Sequence, residues 1–134
     1  MRVWTNGCFD LLHIGHIELF KYAKTLGHEL IVGIDTDARV RTAKGPQRPI
    51  NPCEDRKQML EAIRHIDKVV VFDDDDSLRE AIRDNDIQTL VVGSDWIGKR
   101  VIGAELVTQV IFFDRIGDYS TTQLIEKIDN DLRI

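Results

Sequence analysis

Two histidines three residues apart, His13 and His16, are the side chains of this sequence best suited to chemistry on a phosphate group. Their spacing places both imidazoles on one side of the first turn of a helix. Gly15 between them removes a side chain where a ligand could approach the backbone, and the unpaired amides of such a turn attract anions. The pair therefore predicts a phosphate clamp, although the spacing alone also fits two capping or surface histidines with no further role.

The elements that must position this pair alternate between strand and helix patterns. Five short apolar runs have the length of strands, and helical periodicity or helix-start signals fall between them. The predicted strands cover residues 2–6, 30–34, 68–72, 89–93 and 109–113. This order predicts a single α/β domain over residues 1–134, with a Rossmann-like parallel five-stranded sheet and helices on both faces. Ligands of such sheets bind beyond the carboxyl ends of the strands.

The predicted helices begin at recognisable caps. One follows the histidines over residues 15–26, and a second begins at the Asn51-Pro52 pair and runs to about residue 65. Ser77 opens a third helix and Ser120 a fourth, each with the spacing of a capping box. Residues 36–51 have no clear period and are predicted to form a long loop, which in a compact domain is often functional.

The composition is that of an ordinary soluble protein, with 134 residues, 43% hydrophobic and 31% charged side chains. The net charge of −5 argues against non-specific nucleic-acid binding, which rests on a basic surface. No apolar segment approaches the roughly 20 residues that span a bilayer, and no signal peptide precedes the first strand, so we expect a cytoplasmic protein without membrane contact. The distant Cys8 and Cys53 predict reduced thiols, with neither a disulfide framework nor a thiolate zinc site.

A longer motif surrounds the histidines. It reads Gly7-x-Phe9-Asp10-x-x-His13-x-Gly15-His16 and resembles the signature of the cytidylyltransferase-like nucleotidyltransferases, whose hallmark is H-x-G-H. The resemblance covers residues 3 to about 128 and continues through Lys44, Arg56, Gly93-Ser94-Asp95-Trp96, Arg115 and Ser120-Thr121-Thr122. Such a pattern is much more specific than a lone glycine-rich loop.

The resemblance implies transfer of a nucleotidyl group. A phosphate oxygen of an acceptor attacks the α-phosphorus of a nucleoside triphosphate, and pyrophosphate leaves; such a reaction needs positioning and charge stabilisation more than covalent help. His13 and His16 would donate hydrogen bonds to the α- and β-phosphates in the transition state. They would not act as bases, because the acceptor phosphate is already ionised. Ser120 and Thr121, at the start of the last helix, would hold the β- and γ-phosphates.

The resemblance also implies roles for charged side chains outside those two turns. Lys44 and Arg115 are predicted to be catalytic residues that contact phosphates, with Lys44 on a loop that closes over the triphosphate or the acceptor. Asp10 and Arg56 are predicted to bind the acceptor together with Lys44. Each of these side chains also has an ordinary interpretation as a solvated or structural residue.

The predicted nucleotide-binding residues lie in two loops. Asp95 and Trp96 follow the fourth predicted strand, where a base or ribose would lie, and offer a carboxylate for hydroxyl contacts and a ring for stacking. Cys8, Phe9 and Gly15 complete the set from the first loop. Asp35 and Asp37, after the second strand, are further candidates for a nucleoside contact, although a loop aspartate is more often a turn residue.

Four consecutive aspartates, residues 73–76, are candidate ligands for a metal ion. Four neighbouring carboxylates cannot all face one ion, however, and ahead of the predicted cap at Ser77 they favour the helix dipole. They are therefore predicted to be a solvated loop, and no protein metal ligand is assigned. Magnesium is expected as a partner of the triphosphate. The resemblance also implies a homodimer.

The motifs resemble two subfamilies that differ in their substrates. Asp95-Trp96-Ile97-Gly98-Lys99 resembles the glycerol-3-phosphate cytidylyltransferases, whereas residues 6–10, 44–49 and 103–107 look more like the adenylyltransferase domain of ADP-heptose synthases. The expected reaction is CMP transfer from CTP to a phosphorylated small alcohol such as glycerol 3-phosphate. One alternative is AMP transfer from ATP to a sugar 1-phosphate, which yields an ADP-sugar of the ADP-heptose type. The other is a catalytically silent nucleotide-binding module.

Overall fold

The computed structural model describes residues 1–114 and 121–132, and five parallel strands within them form one sheet. The strands are β1 Arg2–Gly7, β2 Glu29–Asp35, β3 Lys68–Phe72, β4 Thr89–Gly93 and β5 Gln109–Phe113. Their order across the sheet is β3-β2-β1-β4-β5, so the direction of strand addition reverses at β1. The predicted α/β class and Rossmann-like parallel sheet are confirmed.

Helices follow β1, β2, β3 and β5. They are α1 Ile14–Thr25, α2 Asp37–Lys44, α3 Cys53–Glu61, α4 Asp75–Asp84 and α5 Thr121–Leu132. None of the helices in the described ranges has both the length and the apolarity needed to cross a membrane. Two single 3₁₀ turns, Ser94–Trp96 and Ala104–Leu106, lie between β4 and β5.

The central strands bury apolar side chains on both faces of the sheet, because successive residues point to opposite sides. One core cluster joins the sheet to α1 and α3 and includes Val3, Val32, Phe20 and Leu60. The cluster on the opposite face joins the sheet to α4 and includes Trp4, Ile31, Leu78 and Ile82. Burial on both faces is the physical reason that the strands read as continuous apolar runs in the sequence.

A close contact between β1 and β2 fixes the end of the sheet nearest the histidines. A Cβ on Gly33 would lie 2.3 Å from Cζ2 of the Trp4 indole, so glycine is required for this packing. The fully buried Trp4 in turn donates its Nε1–H to Oδ1 of Asn6 at 2.9 Å. The tryptophan thus holds the carboxyl end of β1 in place.

The predicted loop over residues 36–51 is wrong for half of its length, because residues 37–44 form α2. Thr36 is its N-cap and accepts the N–H of Arg39 on Oγ1 at 3.3 Å. Val40 is the one buried side chain of this helix. A short, mostly polar helix with a single buried residue has no apolar period, so periodicity could not reveal it.

The two following helices begin and end differently from the prediction. In α4 the N-cap is Asp74, which accepts the N–H of Ser77 at 2.8 Å, while Oγ of Ser77 accepts the N–H of Asp74 at 3.0 Å. Ser77 is therefore the third helical residue of the capping box and not its cap. In α3 the N-cap is Pro52 and not Asn51, and the helix ends at Glu61, four residues before the predicted end.

Candidate active site

The chain leaves β1 through a turn that places both histidines at the start of α1. His13 is the N-cap residue, and its Nδ1 accepts the backbone N–H of Gly15 at 3.1 Å. His16 accepts the N–H of His13 on its own Nδ1 at 3.2 Å. The two imidazoles thus form a reciprocal cap, which pairs two of the N–H groups that a helix start leaves without a partner.

This reciprocal cap determines which ring nitrogen donates. Because Nδ1 of each ring accepts a backbone N–H, the proton of the neutral imidazole must be on Nε2. The rings of His13 and His16 stack with their centroids 3.8 Å apart and their planes at 29°. The result is a pair of Nε2–H donors at a helix N-terminus, an arrangement suited to neighbouring oxygens of an anion.

Phe9 supports this turn from behind. Its φ of +49° is unusual for a non-glycine residue, so the surrounding contacts must hold the backbone there. The buried ring meets His16 edge-on at 5.3 Å and Phe20 of α1 at 5.1 Å between centroids. Phe9 therefore couples the imidazole of His16 to the core.

An open cavity of about 510 Å³ lies at the carboxyl ends of β1, β2 and β4. Its volume falls within the roughly 300–1,000 Å³ typical of small-molecule sites, and its position at the reversal of strand order is where such sheets bind ligands. The central part is lined by Cys8, Phe9, His13, Gly15 and His16. The β4 side is lined by Gly93, Asp95, Trp96, Phe113 and Thr122. The β2 side is lined by Asp35, Arg39 and Lys44.

Asp10, predicted to bind the acceptor, is absent from the described lining of this cavity and is buried against the protein. Its carboxylate accepts the N–H groups of Ile50 and Asn51 at 2.7 and 2.8 Å. Arg48 adds an ion pair with a 3.4 Å separation between Nε and Oδ2. Asp10 therefore joins the histidine turn to the segment after α2, which is a positioning role, and its predicted acceptor contact stays a prediction.

Arg56, the other predicted acceptor residue, is completely buried. Its guanidinium donates to the carbonyls of Cys8 at 2.8 Å and Asn51 at 3.0 Å, and to the carboxylate of Asp37 at 2.7 Å. The donors of its planar fork are thus directed to three protein groups. Arg56 thus ties the first loop to the start of α2, and its predicted acceptor contact stays a prediction.

Burial dominates the acidity of two residues that line the cavity. It raises the pKa of the Cys8 thiol, although the positive charges of Lys44 and Arg56 oppose the shift. The group is therefore a neutral thiol at physiological pH and a poor nucleophile. Burial likewise raises the pKa of Asp35, against the opposing charges of Arg39, Arg56 and Lys44.

The run of four aspartates serves local structure. Asp74 caps α4, Asp73 accepts the hydroxyl of Thr36 at 2.7 Å, and Asp75 pairs with Arg39 at 2.9 Å. Over the described residues, no group of three or more histidine, cysteine, aspartate or glutamate side chains is arranged to hold a metal ion.

Three predicted phosphate-binding side chains cannot be placed. Arg115 and Ser120 lie outside the described residues, and so does the side chain of Thr121, the first residue of α5. Conversely, sequence reasoning missed Arg39 and the apolar side chains Leu78, Val101 and Ile102, which also line the cavity. Arg39 lies four residues beyond the end of β2, and correct prediction of α2 would have drawn attention to it.

A parallel sheet with its cavity at the strand reversal, lined by a reciprocal histidine cap at a helix N-terminus, is the arrangement of an α/β domain that binds phosphate-bearing ligands. The family model described as Cytidylyltransferase-like matches residues 4–127. The chain therefore belongs to the cytidylyltransferase-like family.

Bifunctional HldE proteins are similar to the chain over almost its whole length. The protein from Sulfurimonas denitrificans is 45% identical over 132 residues, which are 98% of this chain and 28% of that protein. The protein from Campylobacter fetus subsp. fetus is 44% identical over 126 residues, which are 94% of this chain and 27% of that protein. The chain thus spans little more than a quarter of the length of these curated relatives.

Solved structures show the same fold. The lipopolysaccharide core biosynthesis protein from Thermoplasma volcanium superimposes with a TM-score of 0.68 at 25% identity, covering 90% of this chain and 98% of that one. A bifunctional NMN adenylyltransferase/ADP ribose pyrophosphatase from Francisella tularensis gives a TM-score of 0.71 at 20% identity, covering 98% and 42%.

These relatives overturn the expected CMP transfer from CTP to glycerol 3-phosphate. The match to HldE proteins agrees instead with the second resemblance, that to the adenylyltransferase domain of ADP-heptose synthases. The misleading segment, residues 95–99, is exposed along its whole length on the rim of the cavity. A short exposed loop is weakly constrained by packing and is a poor guide to subfamily.

Proposed function

We propose that the chain is an adenylyltransferase that moves AMP from ATP to the phosphate of a sugar 1-phosphate of the heptose type. A phosphate oxygen of the sugar attacks the α-phosphorus of ATP, the bond between the α-phosphorus and its bridging oxygen breaks, and pyrophosphate leaves. The products are an ADP-sugar and pyrophosphate. Similarity to HldE proteins over 94–98% of the chain supports this choice of substrates.

The stacked pair His13 and His16 is the observation that carries the proposal. Its Nε2–H donors lie on rings whose other nitrogens cap α1, so their orientation is set before substrate binds. Donors fixed in this way stabilise the charge that shifts towards pyrophosphate and require no reorganisation during the reaction. No base is needed, because a sugar 1-phosphate is ionised at neutral pH.

The two sides of the cavity suit two different substrates. On the β4 side, Trp96 offers a ring for stacking of adenine and Asp95 a carboxylate for ribose hydroxyls. On the β2 side, Lys44 and Arg39 offer cations for the acceptor phosphate. ATP would enter as its magnesium complex, with Arg115, Ser120 and Thr121 at the outer phosphates. The last three assignments, like the expected homodimer, stay predictions.

Pyrophosphate release tests the proposal. The chain is incubated with magnesium and either ATP or CTP, each combined with heptose 1-phosphate, mannose 1-phosphate or glycerol 3-phosphate, and nucleotide-sugars are identified by mass spectrometry. We expect turnover with ATP and a sugar 1-phosphate. Tight binding of ATP without turnover would support the silent module, and preferential use of CTP would contradict the proposal.

Replacement of the histidines links any activity to this site. His13→Ala and His16→Ala should each lose most of the turnover, whereas His65→Ala, at a histidine outside the cavity lining, should keep it. Equal activity in all three variants would contradict a catalytic role for His13 and His16.

A further inference from the structure

Asp35 ends β2 and lines the cavity, yet the described part of the protein leaves its carboxylate largely without hydrogen bonds. Within residues 1–114 and 121–132, its one polar partner is Arg39, with 3.8 Å between Nε and Oδ1. That separation exceeds the length of a hydrogen bond. Among these residues, both carboxylate oxygens of this cavity-lining side chain therefore keep acceptor capacity.

Two neighbouring carboxylates, by contrast, accept several hydrogen bonds from the protein. Asp37, two residues further on, accepts the N–H of Cys53 at 2.8 Å and the guanidinium of Arg56 at 2.7 Å. Asp10 accepts two backbone N–H groups and pairs with Arg48. These two carboxylates are satisfied by the fold, whereas Asp35 is not.

The raised pKa of Asp35 also indicates that the fold does not fully stabilise its charge. Burial raises the pKa of this carboxyl, so the folded protein disfavours the ionised form relative to the unfolded chain. Arg39, Arg56 and Lys44 offset only part of this burial effect; a half-buried charge that is compensated incompletely lowers stability, and such groups are typical of functional sites.

Cations on the same side of the cavity define the ligand chemistry. Arg39 is held by Asp75 at 2.9 Å and lies 5.3 Å from the centroid of the Phe72 ring, so its guanidinium is fixed without help from Asp35. Lys44 lines the cavity beside them. Two cations suit a phosphate, whereas a carboxylate repels anions and accepts hydrogen bonds from hydroxyls. A phosphate ester that carries hydroxyl groups satisfies both requirements.

The strand order separates this subsite from the nucleoside. β2 and β4 flank β1 on opposite sides, so their carboxyl ends lie roughly 10 Å apart at the usual strand spacing. Trp96 and Asp95 occupy the β4 side, and the histidine pair lies after β1, between the two sides.

We propose that Asp35 determines acceptor specificity by accepting hydrogen bonds from hydroxyl groups of the sugar, with Arg39 and Lys44 at its phosphate. This inference rests on the proposed function, because it assigns a subsite to the acceptor of that reaction.

Calorimetric titration tests the subsite without requiring turnover. Heptose 1-phosphate is titrated into the full chain in the presence of a non-hydrolysable ATP analogue, for the wild type and for Asp35→Ala, Asp35→Asn and the exposed control Asp84→Asn. The Kd for the sugar phosphate should rise about ten- to a hundredfold in Asp35→Ala, the scale of one or two hydrogen bonds to a charged group. The Kd of Asp35→Asn, which keeps one acceptor oxygen, should lie between those of the wild type and Asp35→Ala. The Kd of the Asp84→Asn control should match that of the wild type.

The affinity for nucleotide separates this subsite from a ribose contact. The Kd of the ATP analogue should stay within about twofold of the wild type in every variant. A parallel loss of nucleotide affinity, or an unchanged Kd for the sugar phosphate, overturns the inference, and so does a wild type that binds no sugar phosphate. Binding of both ligands without pyrophosphate release refutes the proposed reaction alone, and the Kd ratios still decide the role of Asp35.

Discussion

Replacement of Arg56 offers a direct test of whether this residue binds substrate or holds the site together. In Arg56→Ala, the carbonyls of Cys8 and Asn51 lose their buried donor and Asp37 loses its partner. Breaking a buried ion pair costs about 3–5 kcal/mol. The Asp37 side chain is 33% exposed and keeps the N–H of Cys53, so the lower end of that range, about 3 kcal/mol, is expected.

Urea unfolding followed by circular dichroism measures this loss. With a slope of about 1–3 kcal/mol per molar urea, a loss of about 3 kcal/mol lowers the midpoint by roughly 1–3 M. Arg56→Lys keeps the charge but cannot reach three acceptors at once. Its urea midpoint should therefore lie between those of the alanine variant and the wild type. Arg64→Ala, at an exposed arginine, should stay within about 0.5 kcal/mol of the wild type.

The refuting result is equally definite. If Arg56→Ala unfolds at the wild-type urea concentration while the KM for the sugar phosphate rises, the residue contacts the acceptor as the sequence suggested. In that case the three buried contacts would not carry the stability assigned to them.

Three further predictions follow from the site and its neighbours. His16→Ala should lower kcat at least about a hundredfold, the scale of one lost transition-state donor, while far-UV circular dichroism stays unchanged; a loss below tenfold contradicts the donor role. Replacement of residues 73–76 by serine should lower the melting temperature, because the Asp74 cap and the Asp75–Arg39 pair are lost, but leave the magnesium requirement unchanged; a large change in that requirement would restore a metal role. Asp35→Asn should be more stable than the wild type in urea at pH 7. Because the pKa of Asp35 is raised in the folded state, this advantage should shrink as the pH falls through that pKa and vanish below the ordinary aspartate value; an advantage independent of pH would refute the electrostatic explanation.

The sheet could be predicted from the sequence because its strands are buried on both faces. Apolar runs such as residues 30–34 are long enough to be distinguished from loops, and their order limits the topology to a few choices. The histidine turn was equally visible, because its chemistry depends on three residues of adjacent sequence. Local patterns of this kind can be recognised without knowledge of distant contacts.

Features that depend on distant contacts could not be predicted. Arg56 is separated from Cys8 by 48 residues, and nothing in its own neighbourhood distinguishes a buried guanidinium from a ligand contact. The single buried residue of α2, Val40, leaves no periodic signal. The lack of hydrogen bonds to Asp35 from the described residues is likewise a property of the assembled cavity. Sequence reasoning found the residues but not the buried contacts that Arg56 makes.

The reversal of strand order at β1 gives the cavity two walls of separate origin. The β2 wall is built from the crossover that follows β2, whereas the β4 wall comes from residues 93–102 together with Phe113 and Thr122. On the proposed division of the two substrates between these walls, a change in one stretch of chain alters recognition of one substrate and leaves the other wall intact. We therefore expect that grafting residues 35–49 from a homologue with a different acceptor exchanges that acceptor and retains the nucleotide, so that one fold serves new pairings of nucleotide and acceptor.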